Sequence, residues 1–196
     1  MRYVFLDADG VLNSDYTKDY VMGFIALDHR NISIFADLMR QIYALYGKEQ
    51  VKLVLSSSWR AGRDRFGNFK AGDAFRTTLD EFLAKEDIVI DDETPQILDG
   101  GRGHEIIQYL SDEYRKGRSV DGYLVLDDHY FLDFKSLFIT RHWVQSRCRT
   151  SAGTGGLLPK HIKPALAAIA RPMNEDELEL LQHFTLDGFS NNQKYI

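Results

Sequence analysis

The fold is decided by residues 2–14, which read RYVFLDADGVLNS. The run from position 3 to position 6 is continuously apolar, as expected of a strand that is covered on both faces of a sheet. This run ends in two carboxylates one residue apart, Asp7 and Asp9, and Gly10 follows them. Because carboxylates are rarely buried without partners, we expect the pair to lie just beyond the end of a central strand, outside the core.

Strand-like and helix-like segments alternate along the rest of the chain. Runs typical of strands occur at residues 2–7, 51–55, 88–90, 122–126 and 136–140. Apolar residues at helical spacing predict helices at residues 29–46, 73–85, 103–116, 160–170 and 174–184. This alternation is typical of βαβ units. It predicts an α/β fold, a Rossmann-like three-layer α/β/α sandwich with a mostly parallel central sheet.

The 196 residues are predicted to form one domain, 1–196, because no linker divides them and the length is ordinary for a single domain. Gly47 follows the first predicted helix as a C-cap would, and Asn174 with Glu177 has the spacing of a capping box. We expect a frayed C-terminus from about residue 189. The irregular stretches 10–28 and 60–72 both follow strand ends and are predicted to be active-site flaps.

Cys148 is the single cysteine of the chain, which excludes a disulfide framework and predicts a reducing, cytoplasmic location. A lone cysteine can be a nucleophile, although a packed residue is the simpler interpretation. No stretch approaches the roughly 20 apolar residues of a membrane span, and the N-terminus does not resemble a signal peptide.

The net charge of −5 argues against a broad nucleic-acid-binding surface, which would normally be basic. Two local stretches, 59–70 and 141–149, nevertheless interleave arginines with aromatic residues. This pattern is typical of surfaces that follow a nucleic-acid backbone and stack its bases. It is equally typical of an ordinary solvated face, so both interpretations stay open.

Polar side chains follow three of the predicted strands at the point where each strand ends. The first strand ends in Asp7 and Asp9, the second in a run of serines, and a later one in Asp127 and Asp128. Ligands of open α/β sheets bind beyond the carboxyl ends of the strands, so we expect these groups to meet. Four carboxylates in one crevice repel each other, and a hard divalent cation such as Mg²⁺ would relieve that repulsion.

The first carboxylate pair has two other interpretations, a solvated turn and a calcium-binding loop. Counted from Asp7, an EF-hand loop would need glycine at its sixth position and glutamate at its twelfth. Those positions hold Leu12 and Lys18, which excludes the EF-hand. The pair fits phosphate chemistry better, since one carboxylate can attack phosphorus and the other can transfer a proton.

Three motifs of this chain resemble those of the haloacid dehalogenase (HAD) superfamily. They are FLDADGVLN at residues 5–13, VLSSSWR at residues 54–60 and YLVLDDH at residues 123–129. Over roughly residues 2–170, including RGHEIIQYL and the late GTGGLLPKHI, the chain resembles the HAD domains of "Swiss army knife" RNA-repair proteins. The last of these segments is not a phosphate-binding P-loop, because it lacks the GK[ST] ending.

This resemblance implies a HAD-like fold and a Mg²⁺-dependent phosphatase. Asp7 would be the nucleophile and a metal ligand, and Asp9 the general acid/base, with its backbone carbonyl on the metal. Asp127 would complete the metal site, and Asp128 would bind the metal through water or orient Asp127. Because a halide leaves without a proton, the presence of Asp9 favours phosphate esters over haloacids as substrates.

The resemblance also implies which residues bind the phosphoryl group. Ser56 would donate to the phosphoryl oxygens, with Ser57 in that role if the register is shifted by one. The third motif of the superfamily normally supplies a Lys or Arg. Arg102, in GGRGHEI at the start of a predicted helix, is the candidate here.

The resemblance implies a phosphorylated substrate, with terminal phosphates of nucleic acid or nucleotides as the class that it suggests. No insertion of domain size separates residues 10 and 56 or residues 60 and 102, so the site should be open. A small-metabolite phosphatase and a non-catalytic binding module with the same fold are the alternatives. No membrane partner is expected, and the sequence leaves the oligomeric state undetermined.

Overall fold

The strand predicted at the N-terminus lies at the centre of the sheet. The computed structural model describes residues 1–18, 20–21, 24–25, 27–61, 74–97 and 101–185. In chain order the strands are β1 (Arg2–Leu6), β2 (Tyr20–Val21), β3 (Phe24–Ile25), β4 (Val51–Leu55), β5 (Asp92–Glu93), β6 (Gly122–Asp127) and β7 (Trp143–Gln145). The α-helices are α1 (His29–Tyr46), α2 (Ala74–Ala84), α3 (Arg102–Arg115), α4 (Asp133–Ser136), α5 (Ile162–Ala170) and α6 (Glu175–His183).

Five strands form one parallel sheet in the order β5-β4-β1-β6-β7. In the middle of it, Leu6 of β1 is paired with Leu55 of β4 on one side and Leu126 of β6 on the other. This register brings the carboxyl ends of three strands to the same edge of the sheet. The predicted α/β fold is therefore confirmed, with an all-parallel sheet and without a large inserted domain. The strands β2 and β3 form a separate antiparallel pair.

The side chains of the central strands alternate between two apolar clusters, one on each face of the sheet. Val4 and Leu6 face a cluster that contains residues of α1, α2 and α5. Tyr3 and Phe5 face a cluster that contains residues of α3 and α6. Because alternate residues of a strand point to opposite faces, a continuous apolar run is what a doubly covered strand requires. The three-layer arrangement follows directly from this run.

The strand predicted at residues 88–90 is wrong. The strand at this edge is β5, which begins at Asp92. Ile88 and Ile90 are buried while Val89 between them is 61% exposed, so the alternation reflects packing into the core without strand pairing. Contact with β4 begins at Asp91. Its backbone N–H donates to the carbonyl of Leu53, and its carboxylate accepts from the backbone N–H of Leu53.

The strand predicted at residues 136–140 is also wrong. This segment begins at the end of α4, passes through Phe138 in a left-handed conformation (φ +60°) and continues as a 3-10 turn, Ile139–Arg141. Leu137 and Ile139 are buried, so the apolar residues serve the core from a helical turn. The strand itself follows at β7. The prediction failed because a short apolar run does not distinguish a strand from a buried turn.

The local helix signals are confirmed. Gly47 ends α1 at φ +84°, and its N–H donates to the carbonyl of Tyr43. Asn174 accepts from the backbone of Glu177 at 2.9 Å, and the Glu177 carboxylate accepts from the backbone of Asn174 at 2.7 Å. Within the described ranges, no helix combines the length and the apolar character that crossing a bilayer needs. The predicted fraying from residue 189 and most of the flap at 60–72 lie outside the described residues.

One buried carboxylate lies far from the carboxyl edge of the sheet and stabilises the opposite end. Glu113 of α3 accepts hydrogen bonds from Arg118 (2.5 Å), Lys52 (3.0 Å) and Lys116 (3.2 Å). Burial alone would raise the pKa of Glu113, but these three cations outweigh it and lower the pKa to about 2. The folded-state pKa lies below the ordinary value of 4.5, so the charged carboxylate stabilises the native state.

We expect Glu113→Gln to lower the free energy of unfolding by about 2–3 kcal/mol at pH 7. The stabilisation is fully present above about pH 4.5 and is lost as the pH falls toward 2, so the difference from the wild type should shrink at pH 3. Urea unfolding at the two pH values measures both effects. Asp112→Asn is the matched control, since this neighbour on α3 is 42% exposed and its ion pair with Arg115 should contribute less than about 1 kcal/mol. A pH-independent loss in Glu113→Gln would contradict the assigned charge.

Candidate active site

Three carboxylates converge at the carboxyl edge of the sheet. Oxygen atoms of Asp7, Asp127 and Asp128 all lie within 4.8 Å of one another. Asp7 directly follows β1 and donates its backbone N–H to Leu126 of β6 at 2.9 Å, so strand pairing places the two ends side by side. Asp7 and Asp127 are buried and Asp128 is partly exposed. Sequence analysis predicted from the strand ends that four carboxylates, including Asp9, would meet, and three of the four form this cluster.

Burial and mutual repulsion disfavour full ionisation of this cluster. Burial first, and then the charge of Asp127, raise the pKa of Asp7 well above its ordinary value, against the opposing effects of Arg102 and Ser57. Burial likewise raises the pKa of Asp127 to about 7, although Arg102 opposes it. Hard carboxylate oxygens this close together are the donor set that Mg²⁺ takes when phosphate and water complete its coordination. The residues present therefore fit a divalent metal ion.

Gly10 is required where the chain turns past the carboxylate pair. Its φ is +70°, a conformation that favours glycine, and a Cβ atom there would overlap the carboxyl group of Asp128. The absence of a side chain at position 10 is what lets Asp128 approach the loop after β1.

Asp9 lies beside the cluster and its charge contributes to the raised pKa of Asp7. Its two carboxylate oxygens accept from two different donors. Oδ1 accepts from Asn13 Nδ2 at 2.9 Å, and Oδ2 accepts from Trp59 Nε1 at 2.9 Å. The two carboxylates of the DxD motif therefore have separate surroundings, as a division between attack and proton transfer requires.

Arg102 projects from the first residue of α3 into the carboxylate cluster. Its Nη2 lies 3.9 Å from Asp7 Oδ1, and its Nε lies 3.6 Å from Asp127 Oδ2. The buried Nε makes no hydrogen bond to any residue that the structure describes. A guanidinium at a helix N-terminus beside the carboxylates can grip a phosphoryl group.

Both candidate serines lie at the end of β4, next to the cluster. Ser56 donates its backbone N–H to Leu6 of β1 at 2.8 Å, and its buried hydroxyl has no hydrogen-bond partner within the described part of the chain. Ser57 is fully buried, and its hydroxyl forms a hydrogen bond with Asp7 that lowers the pKa of Asp7 against the larger effect of burial. The choice between the two serines for phosphate contact remains a prediction.

Sequence analysis placed Trp59 and Arg60 in the stretch 59–70, as part of a nucleic-acid-binding surface or of an ordinary solvated face, and it did not name them as site residues; in the structure both connect parts of the site. Trp59 reaches Asp9, as described above. Arg60 lies 2.5 Å from Glu105 and donates to Thr94 at 2.8 Å, while the same glutamate lies 3.5 Å from Arg102. The sequence did contain a signal for both residues. Trp59 and Arg60 follow shortly after the end of a predicted strand, and polar groups there lie near the carboxyl edge of the sheet, where ligands bind.

The loop around the late glycines holds the loop after β1 in place. Ser146 Oγ donates to the carbonyl of Gly10 at 2.5 Å, and the backbone of Leu157 donates to Val11 at 2.7 Å. Asn31 of α1 anchors the late loop by donating to the carbonyls of Gly155 and Leu157. The site is therefore supported by a segment more than 130 positions away along the chain from the motif that it holds.

Two side chains of the arginine and aromatic stretch 141–149 contact the protein interior. Arg141 pairs with the buried Glu177 at 2.7 Å, and Trp143 donates to the carbonyl of Asp127 at 3.1 Å. Arg147 and Arg149 are exposed. The other stretch, 59–70, lies mostly outside the described residues.

Comparison with known proteins now adds to this geometry. The family model for the HAD domain in Swiss Army Knife RNA repair proteins matches residues 3–153. The chain belongs to this family. Searches of curated proteins and of solved structures found no match. The matched segment includes the whole carboxylate cluster, Asp9 and Arg102, and it ends before α5, whereas sequence analysis extended the resemblance to about residue 170. The membership confirms the predicted resemblance, and the cluster of Asp7, Asp127 and Asp128 is consistent with a HAD-type active site.

Proposed function

We propose that the chain is a Mg²⁺-dependent phosphomonoester hydrolase that acts through an aspartyl-phosphate on Asp7. The observation that carries this proposal is the convergence of Asp7, Asp127 and Asp128 within 4.8 Å, with Arg102 pointing into the same cluster. The three carboxylates and the backbone carbonyl of Asp9 would hold the metal ion. When bound, that ion would supply the positive charge that lets a phosphate dianion approach the carboxylates.

The first half-reaction transfers the phosphoryl group to the protein. A carboxylate oxygen of Asp7 attacks phosphorus, and the bond between phosphorus and the leaving oxygen breaks. Asp9 gives its proton to that leaving oxygen, so an alcohol departs in place of an alkoxide. Arg102 and a serine hydroxyl at the end of β4 bind the other phosphoryl oxygens.

The second half-reaction releases inorganic phosphate. Asp9, now a carboxylate, takes a proton from a water molecule that attacks phosphorus. The bond between phosphorus and the Asp7 oxygen then breaks, which restores both carboxyl groups. The two half-reactions need one acid and one nucleophile in different surroundings, and Asp7 and Asp9 provide them.

Terminal phosphates of nucleic acid or nucleotides are the proposed substrates. Two observations support this class besides the family's link to RNA repair. Within the described ranges no inserted domain covers the site, and exposed ring side chains follow the acidic pair directly, at His129 and Tyr130. Phe131 continues this run, and its ring centre lies 5.6 Å from the Arg102 guanidinium. Bases can stack on such rings.

A small-metabolite phosphatase is the second candidate, and the net charge of −5 favours it. An acidic protein repels a polyanionic nucleic acid over distances up to the Debye length, whereas a small phosphate ester carries little charge outside the site.

A substrate panel tests the proposal. We expect Mg²⁺-dependent release of phosphate that EDTA abolishes and added Mg²⁺ restores. A 3′- or 5′-phosphorylated oligonucleotide should have a higher kcat/KM than mononucleotides and sugar phosphates. Equal kcat/KM for all of these compounds would reject the nucleic-acid preference while leaving the phosphatase intact. No hydrolysis of any compound, with or without metal, would reject the phosphatase.

A further inference from the structure

We infer that Trp59 is a positioning residue for Asp9, because its indole N–H holds the carboxyl group that transfers the proton. The catalytic part of this inference rests on the proposed phosphatase function, whereas the hydrogen bond itself does not.

The carboxylate of Asp9 is held from two sides. Trp59 Nε1 donates to Oδ2 and Asn13 Nδ2 donates to Oδ1, each at 2.9 Å. The orientation of the Asn13 amide follows from its other contact, since its Oδ1 accepts from the backbone N–H of Gly10 at 2.9 Å. Both contacts are good hydrogen bonds in length. Together they define the plane and the direction of the Asp9 carboxyl group.

Trp59 is the rigid member of this arrangement. The side chain is 2% exposed and belongs to the core cluster on the α1 side of the sheet. Its ring meets Phe75 of α2 edge-on at 4.8 Å, and its backbone N–H donates to Ser57 Oγ at 3.3 Å. Asp9, in contrast, is partly exposed. A carboxyl group on a turn is therefore anchored to a buried ring on the neighbouring strand end.

The chemistry of the indole suits this role. An indole N–H can only donate, so it interacts with Asp9 as an acceptor and does not compete for the transferred proton. Each carboxylate oxygen has two lone pairs, which leaves a position on Oδ2 for that proton while the indole contact persists. Without the indole, Asp9 would lose one of the two side-chain hydrogen bonds that it makes with described residues, and its carboxyl group could rotate away from the leaving oxygen. A small misorientation of the carboxyl group lowers the rate of proton transfer.

A pair of substrates with different leaving groups separates positioning from general damage. The leaving group of p-nitrophenyl phosphate departs without a proton, whereas that of glycerol phosphate needs one. In Trp59→Phe, we expect the single-turnover rate of the first half-reaction to fall about tenfold or more with glycerol phosphate and to change little with p-nitrophenyl phosphate. An equal fall for both substrates, or no change for either, would overturn the catalytic part of the inference.

Phe75→Leu is the matched control. This change removes ring packing against the same indole but leaves the Nε1 hydrogen bond in place. We expect it to alter both rates by the same factor. A selective loss with glycerol phosphate in this control would show that packing, and not the hydrogen bond, determines the effect, which would overturn the inference.

A second measurement tests the hydrogen bond without any catalysis. The chain has two tryptophans, Trp59 and Trp143, so the indole N–H region of a ¹H–¹⁵N NMR spectrum should contain two signals. The signal that disappears in Trp59→Phe should shift upfield in Asp9→Ala, and the other should stay near its position. An unshifted signal would overturn the contact even if the protein is an active phosphatase. If the signal shifts but the wild type hydrolyses no phosphate ester, the proposed function fails and only the structural contact stands.

Discussion

Asp7→Asn is expected to abolish turnover, with kcat at least about 10⁴-fold below that of the wild type. An amide cannot attack phosphorus to give the acyl-phosphate, and it also removes one negative ligand from the metal site. Steady-state hydrolysis of p-nitrophenyl phosphate measures the loss. Rapid quenching in acid should leave phosphate attached to the wild type and none attached to the variant, which would assign the intermediate to Asp7.

The same substitution should not harm the fold, and this separates it from ordinary damage. Burial and the charge of Asp127 raise the pKa of Asp7, so its ionised form destabilises the metal-free native state. We therefore expect the melting temperature of metal-free Asp7→Asn to equal or exceed that of the wild type. A carboxyl group whose pKa is raised by folding destabilises the native state increasingly as the pH rises. The difference in melting temperature between Asp7→Asn and the wild type should therefore be larger at pH 8 than at pH 5.

Asp37→Asn on α1 is the control, because this residue contacts Gln41 on its own helix and lies outside the cluster. It should retain wild-type turnover. If Asp7→Asn hydrolyses p-nitrophenyl phosphate as well as the wild type does, Asp7 is not the nucleophile. An inactive wild type with the same melting behaviour would favour the non-catalytic binding module.

Arg102→Ala is expected to lower kcat/KM by about 10²–10³-fold. The guanidinium lies 3.9 Å from Asp7 and 3.6 Å from Asp127, so its removal takes away the cation that would bind the phosphoryl group. Arg102→Lys should recover part of the loss, since a lysine restores the charge but not the planar pair of donors. Steady-state kinetics with p-nitrophenyl phosphate measures all three proteins.

Removing this cation should also change how the protein responds to metal. Arg102 lowers the pKa of both buried carboxyls, so its loss leaves their charges less compensated. We expect Mg²⁺ to raise the melting temperature of Arg102→Ala more than that of the wild type. Arg115→Ala, at the other end of α3 and 41% exposed, is the control and should keep wild-type kcat/KM. Wild-type kcat/KM in Arg102→Ala would contradict the assignment of this residue to phosphate binding.

The predicted elements that were correct are those whose local signals and burial agree. Residues 51–55 form β4 as predicted, and residues 29–46 form α1 with Gly47 behind it. A strand covered on both faces leaves a continuous apolar run, and a helix with one buried face leaves a period of 3.6 residues. Residues 88–90 and 136–140 are short apolar segments, and nothing in their pattern distinguishes strand pairing from packing in a turn.

By itself, the sequence indicated which strands end in polar groups, and with it the meeting of Asp7, Asp127 and Asp128 at one edge of the sheet. This was possible because parallel strands of an α/β sheet share their carboxyl edge whatever the details of packing. Only the tertiary structure decided which side chains contact each other around that cluster. Trp59 meets Asp9 across 50 positions of the chain, and Arg60 meets Glu105 across 45. Contacts of this kind depend on side-chain directions in the packed protein, which local periodicity does not encode.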